Sequence, residues 1–241
     1  LKVLIPTAGN GPDSPAGLNG PGSPTGIVVN GSSEFQLGGW PTFFLFATLD
    51  GTISGWAPKT NFNQATLAVD TTANKNPHPA VYTGLAITNK VSGNLLYAVD
   101  QANGKVDVYD GTFAPVTLAA GAFGDPSLPA GFAPFGIQDI NGQVYVTFAS
   151  VSGGAEGFVE VFAEDGTPAP SVPRPFIHGL PLNQPWGIAM APANFGVLSH
   201  TLLISNNTNH GKINAFNPGN GHFVGQVKDM TGTPISIDQL W

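Results

Sequence analysis

Between Asn183 and Lys228 apolar residues come in short runs separated by Gly, Pro and Asn: Pro185-Trp-Gly-Ile-Ala-Met, Thr201-Leu-Leu-Ile-Ser, Lys212-Ile-Asn-Ala-Phe and His222-Phe-Val-Gly-Gln-Val. Each run has strand length and turn-forming borders, so the stretch predicts four short strands joined by turns. The same unit recurs along the chain. Its first strand starts at Gly26, Gly84, Gly136 and Gly187, in steps of 58, 52 and 51 residues. Second strands are predicted at 43–48, 94–99, 144–149 and 201–205, and third strands at 52–56, 105–109, 158–162 and 212–216. Weaker outer strands fall at 65–69, 115–119, 169–172 and 222–227.

Four strands per period of this length is the pattern of a β-propeller blade. The fold class expected is therefore all-β, a propeller of four-stranded blades, with four complete blades spanning about 24–70, 82–119, 134–172 and 185–228 of a single domain. Inner runs such as Ile27-Val-Val29 and Leu85-Ala-Ile87 are apolar at every position, as strands buried on both faces by neighbouring blades should be. A β-sandwich, the alternative, would alternate more cleanly and lack the period. Residues 1–5 read as the outer strand of a preceding blade and 240–241 as the start of a following one, so the four units predict the middle of a larger ring.

Composition narrows the function. Charged residues are 10% of the chain, Gly 32 and Pro 22 together exceed a fifth of it, and the net charge is −7 with a single arginine, Arg174. No basic stripe exists to neutralise phosphates, which argues against nucleic acid. No apolar run is long enough for a transmembrane helix. The start at Leu1, without methionine or signal peptide, predicts a processed or fragmentary N-terminus. With no cysteine, disulfides and thiolate sites are excluded. Low charge and a turn-rich polar composition favour an extracellular protein, and the sequons at Asn30 and Asn206 would be usable on a eukaryotic secretory route.

The segments Phe46-Ala-Thr-Leu-Asp-Gly-Thr-Ile-Ser-Gly-Trp56, Asn103-Gly-Lys-Val-Asp-Val-Tyr-Asp-Gly111, Gly131-Phe-Ala-Pro-Phe-Gly-Ile-Gln-Asp-Ile140, Pro185-Trp-Gly-Ile-Ala-Met-Ala-Pro-Ala-Asn-Phe-Gly196 and Gly211-Lys-Ile-Asn-Ala-Phe216 cover nearly the whole chain in order. They resemble an uncharacterised secreted β-propeller family associated with PEP-CTERM-type bacterial proteins, of NHL/SMP-30-like architecture. The resemblance implies an extracellular propeller of about six repeats. It carries over no catalytic residue, and the chain departs from the family pattern at Leu49 and Asp139.

In a propeller, the loop entering each inner strand and the loop joining second to third strand share the face around the central channel, where a rigid scaffold presents function. Those loops hold Tyr82, Asp100, Asn103, Phe135, Trp186 and Asn207, the candidate ligand-binding set. Asp50, Asp100 and Asn206 carry hard oxygens of the kind calcium takes, with His210 as a candidate base. The competing expectation is that Asp and Asn serve as turn formers and that Phe135 and Trp186, at one repeat position, pack between blades. No zinc spacing, serine elbow or dinucleotide loop is present. The function expected is a secreted, non-enzymatic propeller that binds a glycan, small molecule or protein. The alternatives are a calcium-dependent hydrolase or lactonase and a structural or storage protein.

Overall fold

The computed structural model describes residues 2–9, 22–72 and 78–240. It divides into two compact units, Leu1–Leu118 and Ala119–Trp241. Among the described residues all regular structure is β, apart from one 3-10 turn at Gly196–Leu198.

In the N-terminal unit, β1 (Pro24–Val29) pairs with β4 (Phe44–Thr48), followed by β5 (Thr52–Trp56) and β6 (Thr66–Asp70), in one antiparallel sheet. A small hairpin, β2 (Gln36–Leu37) and β3 (Trp40–Pro41), interrupts the β1–β4 connection. The second sheet is β7 (Tyr82–Ile87), β8 (Leu96–Asp100) and β9 (Lys105–Tyr109). In the C-terminal unit, β10 (Phe132–Ile140), β11 (Gln143–Ser150), β12 (Gly157–Phe162) and β13 (Ile177–His178) form the third sheet. The fourth sheet contains β14 (Pro185–Met190), β15 (Leu202–Asn206), β16 (Ile213–Phe216) and β17 (Phe223–Gln226).

Second and third strands lie where the sequence places them, and β5 and β9 match to the residue. Outer strands do not all form. Residues 115–119 contribute only a bridge from Pro115 to Tyr109, which leaves the second sheet with three strands, and residues 169–172 form none. Pro168, Pro170 and Pro173 remove the amides such a strand would need, and β13 takes the outer place instead. The N-terminal segment, expected in a preceding repeat, bridges the first sheet: Leu4 pairs in parallel with Gln64, and Val3 and Ile5 pack with Phe44, Phe46, Trp56 and Ala65. Trp241 lies outside the described residues.

Each inner strand carries a bulge beside its glycine, with register shifts at Pro24/Gly26, Tyr82/Gly84, Pro134/Gly136 and Pro185/Ile188. A bulge leaves one amide out of the ladder. Side-chain hydroxyls of the second strand take it up in the C-terminal unit: the Gly136 amide donates to Thr147 Oγ1 and the Gly187 amide to Ser205 Oγ, both at 2.8 Å. In the N-terminal unit, the Thr25 hydroxyl donates to the Tyr82 carbonyl at 2.6 Å and ties the β1 bulge to β7.

The glycines also set how closely sheets approach. A methyl group on Gly26 would lie 2.6 Å from the Leu85 backbone nitrogen, and one on Gly136 would lie 1.9 Å from the Trp186 carbonyl oxygen. Only glycine allows backbone to meet backbone there. Around these contacts the apolar side chains close: Val28, Leu45, Ala47 and Ile53 against Leu85, Leu96 and Ala98 in one unit, and Tyr145, Val159 and Val161 against Leu202, Ile204 and Phe216 in the other. Burial of each large side chain contributes about 1.5–3 kcal/mol. One expectation fails. On β1 the residues alternate, with Val28 buried but Ile27 and Val29 62% and 65% exposed. Within its unit the first sheet meets the second through the Gly26 and Val28 face, and Val3 and Ile5 shield only the outer part of the other.

Replacing Gly26 or Gly136 with Ala should cost about 1–3 kcal/mol through overpacking. Gly225→Ala, where the nearest atom is 3.8 Å away, should be close to neutral. Urea midpoints of the three variants check the contrast.

Candidate functional site

Asp100 and Asn206 occupy one repeat position, at the ends of β8 and β15, and both are buried. Their side chains do the same work. Asp100 Oδ1 accepts the amides of Val81 (3.2 Å) and Asn103 (3.3 Å), and Oδ2 accepts Asn103 Nδ2 (2.6 Å). Asn206 Oδ1 accepts the Asn183 amide at 3.2 Å, and its Nδ2 donates to the Pro181 carbonyl at 2.8 Å. Each therefore pins the segment that leads into the inner strand of its own sheet. Asn103 extends the clamp, exchanging hydrogen bonds with the His78 backbone.

The other expected site residues are placed as follows. Asp50 Oδ2 accepts the Ala8 amide at 2.5 Å. Tyr82 is fully buried, and its hydroxyl lies 3.0 Å from Asp107 and 2.8 Å from the Tyr109 hydroxyl. Burial and the neighbouring Tyr109 and Asp107 push the Tyr82 hydroxyl far above its ordinary range, and burial pushes Tyr109 up to about 12. Tyr82 is thus a core residue with no face to offer a ligand. Phe135 is 6% exposed and likewise core, whereas Trp186 is half-buried. The backbone amide of Asn207 donates to the Gln184 carbonyl at 2.8 Å. His210 is exposed, with Asp238 3.3 Å from Nδ1.

These residues do not fit a preformed calcium site. Calcium takes six to eight oxygens, and both oxygens of Asp100 and the amide oxygen of Asn206 already accept bonds that hold strand-entering segments. Among the described residues, no group of three or more His, Cys, Asp or Glu side chains is placed to hold a metal ion.

A concave site lies elsewhere in the N-terminal unit. Ser33, Glu34 and Gln36, Gly93 to Leu95, and Asp110 to Thr112 line a groove of about 670 Å³, in the size range of ligand pockets. Glu34 organises it. Its Oε1 accepts the Gly93 amide (2.9 Å), and its Oε2 accepts the Asn94 amide (2.9 Å) and Nδ2 (2.7 Å). The Asn94 amide and side chain and the Gly93 amide hold the carboxyl below its usual range. Asp110 Oδ1 accepts the Thr112 amide and hydroxyl and the Ala114 amide, and Thr112 holds it low in turn. The groove thus carries two ionised carboxylates beside amides and a hydroxyl, with no Lys or Arg in its lining. Sequence reading missed it because Asp110-Gly-Thr registers as a turn, which it also is, and Glu34 stands in a connection outside the repeat.

The Asp-x-Thr turn recurs in the C-terminal unit. Asp165 accepts the amide and hydroxyl of Thr167, and Asp229 those of Thr231. Both carboxyls are held below the ordinary value of 3.8, chiefly by those hydroxyls. The two sequons are also structural. Asn30 Nδ2 donates to the Glu34 and Thr42 carbonyls, so it and Asn206 Nδ2 are both engaged inside the protein.

No protein-family model matches the chain. It is 32% identical to uncharacterized protein R640 of Acanthamoeba polyphaga mimivirus over 209 residues, which make up 81% of this chain and 36% of that protein. The chain spans between about a third and a half of the viral relatives it matches. Among solved structures it is similar to the RRP9 WD40 repeats (TM-score 0.53, 12% identity, 90% of this chain and 53% of that one). It is also similar to streptogramin B lyase (TM-score 0.52, 16% identity, 89% and 57%). Both are β-propellers, and at these identities they establish fold alone. The chain is accordingly an all-β protein of antiparallel, mostly four-stranded sheets with propeller structural neighbours.

The Asp turns are more acidic folded than unfolded, so the stability they add is present above pH 3.8 and lost as pH falls through the lowered values. Asp110→Asn, which keeps the Oδ1 acceptor, should flatten the acid limb of a thermal-melt profile below about pH 4. On expression in a glycosylating host, intact mass should show Asn30 and Asn206 unmodified.

Proposed function

We propose that the chain is a non-enzymatic binding module whose ligand, a hydroxyl-rich small molecule or glycan, docks in the Glu34–Asp110 groove. The observation that carries this reading is the contrast between the two sets of polar groups. Asp100 and Asn206 are buried where they hold strand-entering segments, whereas Glu34 and Asp110, though they accept neighbouring amides, are only half-buried and open onto a concave groove whose lining carries no Lys or Arg. Ionised carboxylates beside Gln36, Ser33 and Thr112 suit the donating hydroxyls of a polyol, and a ligand carboxylate or phosphate would be repelled. The hydrolase reading gains no support, since its proposed ligands hold loops in place.

In the same proposal the sheets are blades of a larger propeller. Support comes from the greater length of the viral relatives and from the solvent-open apolar face that carries Ile27 and Val29. An extracellular setting is part of the same proposal; it rests on the low charge and on the resemblance to the secreted PEP-CTERM-associated family.

Titration calorimetry against a panel of neutral oligosaccharides and polyols, with anionic sugars alongside, tests the site, and a Gln36→Ala/Asp110→Asn variant is the control. We expect saturable binding by at least one member, weakened tenfold or more in the variant while its melting temperature stays within a few degrees of the parent's. Binding that is unchanged in the variant, or found only for anionic ligands, would place the site elsewhere.

A further inference from the structure

Glu160 sits on β12 opposite Val146 and is fully buried in the C-terminal unit. Neither of its carboxyl oxygens receives a hydrogen bond from an ordinary donor, and Asp125 Oδ2 is in the same position. The cation beside them is Arg174, the one arginine of the chain: Nε lies 3.5 Å from Glu160 Oε2 and Nη2 lies 3.4 Å from Asp125 Oδ2. One positive charge thus faces two carboxyls, and with both ionised a net negative charge would be left buried and short of donors. A single proton on Glu160 resolves the shortage, because it turns one orphaned oxygen into a donor toward Asp125.

The cluster holds a segment in place. Asp125 ends the stretch 121–125, whose Phe123 is buried edge-on against Phe162 of β12 at 5.4 Å between ring centres. The Phe123 amide donates to the Gly166 carbonyl at 2.9 Å, and Arg174 Nη2 donates to the Gly124 carbonyl at 3.1 Å. The charged groups that act on Glu160 are Asp125 and Arg174. Of the other titratable groups on the strands packed beside it, Tyr145 of β11 packs its ring on Phe176, and His178 of β13 is exposed.

We propose that Glu160, Asp125 and Arg174 form a proton-operated latch, which keeps residues 121–127 docked on β12 while Glu160 is neutral and frees them when it ionises. The direction of titration agrees. Burial, then the hydrogen bond to Asp125 and its charge, push Glu160 up to about 8 against the opposing Arg174. Asp125 stays low: burial works against it, but the Ser127 hydroxyl and amide, the bond to Glu160 and the Arg174 charge prevail. A carboxyl raised in the folded state contributes stability that is full below its unfolded value of 4.5 and declines as pH rises towards about 8. Undocking would bare the rings of Phe123 and Phe162, so mildly alkaline conditions would expose an apolar patch that neutral ones conceal.

Hydrogen exchange of the full chain at pH 6.5 and pH 9, normalised for intrinsic rates, tests the latch together with Glu160→Gln, whose amide donates at either pH. Protection of the Phe123 amide should fall about tenfold or more at pH 9 in the parent and by much less in the variant. Equal protection at the two pH values in the parent, or an equal loss in the variant, would overturn the proposal. Carboxyl carbon NMR of the parent gives a readout that needs no variant: Glu160 should titrate far above the ordinary glutamate range, and a midpoint near 4.5 would refute the latch.

Discussion

Backbone meeting backbone between adjacent sheets is the constraint on which the rest depends. At Gly26 and Gly136 the inner strand of one sheet comes so near the next that no side chain fits between them. That proximity lets strands of four to nine residues bury large residues on one shared surface, and it explains why the repeat has glycine at Gly26 and Gly136. The bulge beside each glycine is part of the same solution: it turns the strand and frees an amide, which Thr147 and Ser205 then satisfy in the C-terminal unit.

Once the inner strands are fixed, the polar chemistry divides in two. At the end where strands enter, Asp100 and Asn206 are consumed in holding the fold. Around Glu34 the same residue types also accept backbone amides, but there they stand half-buried in the wall of an open groove. A side chain that satisfies buried backbone amides contributes about 1 kcal/mol and becomes expensive to divert, so residue type alone could not separate ligand from fastener. The Asp turns make the same point, for Asp110 serves its own turn and faces the groove at once.

How much was legible in the sequence follows from the same physics. Periodicity and turn residues located β5 and β9 to the residue, because their ends are marked by Gly, Asp and Pro. Outer strands were less readable, since proline there leaves the hydrogen bonding to whichever neighbouring segment has free amides, as Ile177–His178 does. Ile27 and Val29 read as doubly buried because a sequence shows apolarity and not the presence of a covering sheet. Tyr82 read as a ligand contact from its place at a strand start, but its hydroxyl had partners in Asp107 and Tyr109 that only the fold brings together. Two signals for the buried cluster were available: a glutamate in the middle of Phe158-Val-Glu-Val-Phe162, and a lone arginine in a chain poor in charge.

The close approach of sheets is most directly tested by nuclear Overhauser spectroscopy on the labelled chain. Strong cross-peaks between the Gly26 α-protons and the Leu85 amide proton, and between the Gly136 α-protons and the backbone protons of Trp186 and Gly187, are the expected result. Their absence from an otherwise well-dispersed spectrum, with β1–β4 and β10–β11 ladder contacts intact, would contradict the account.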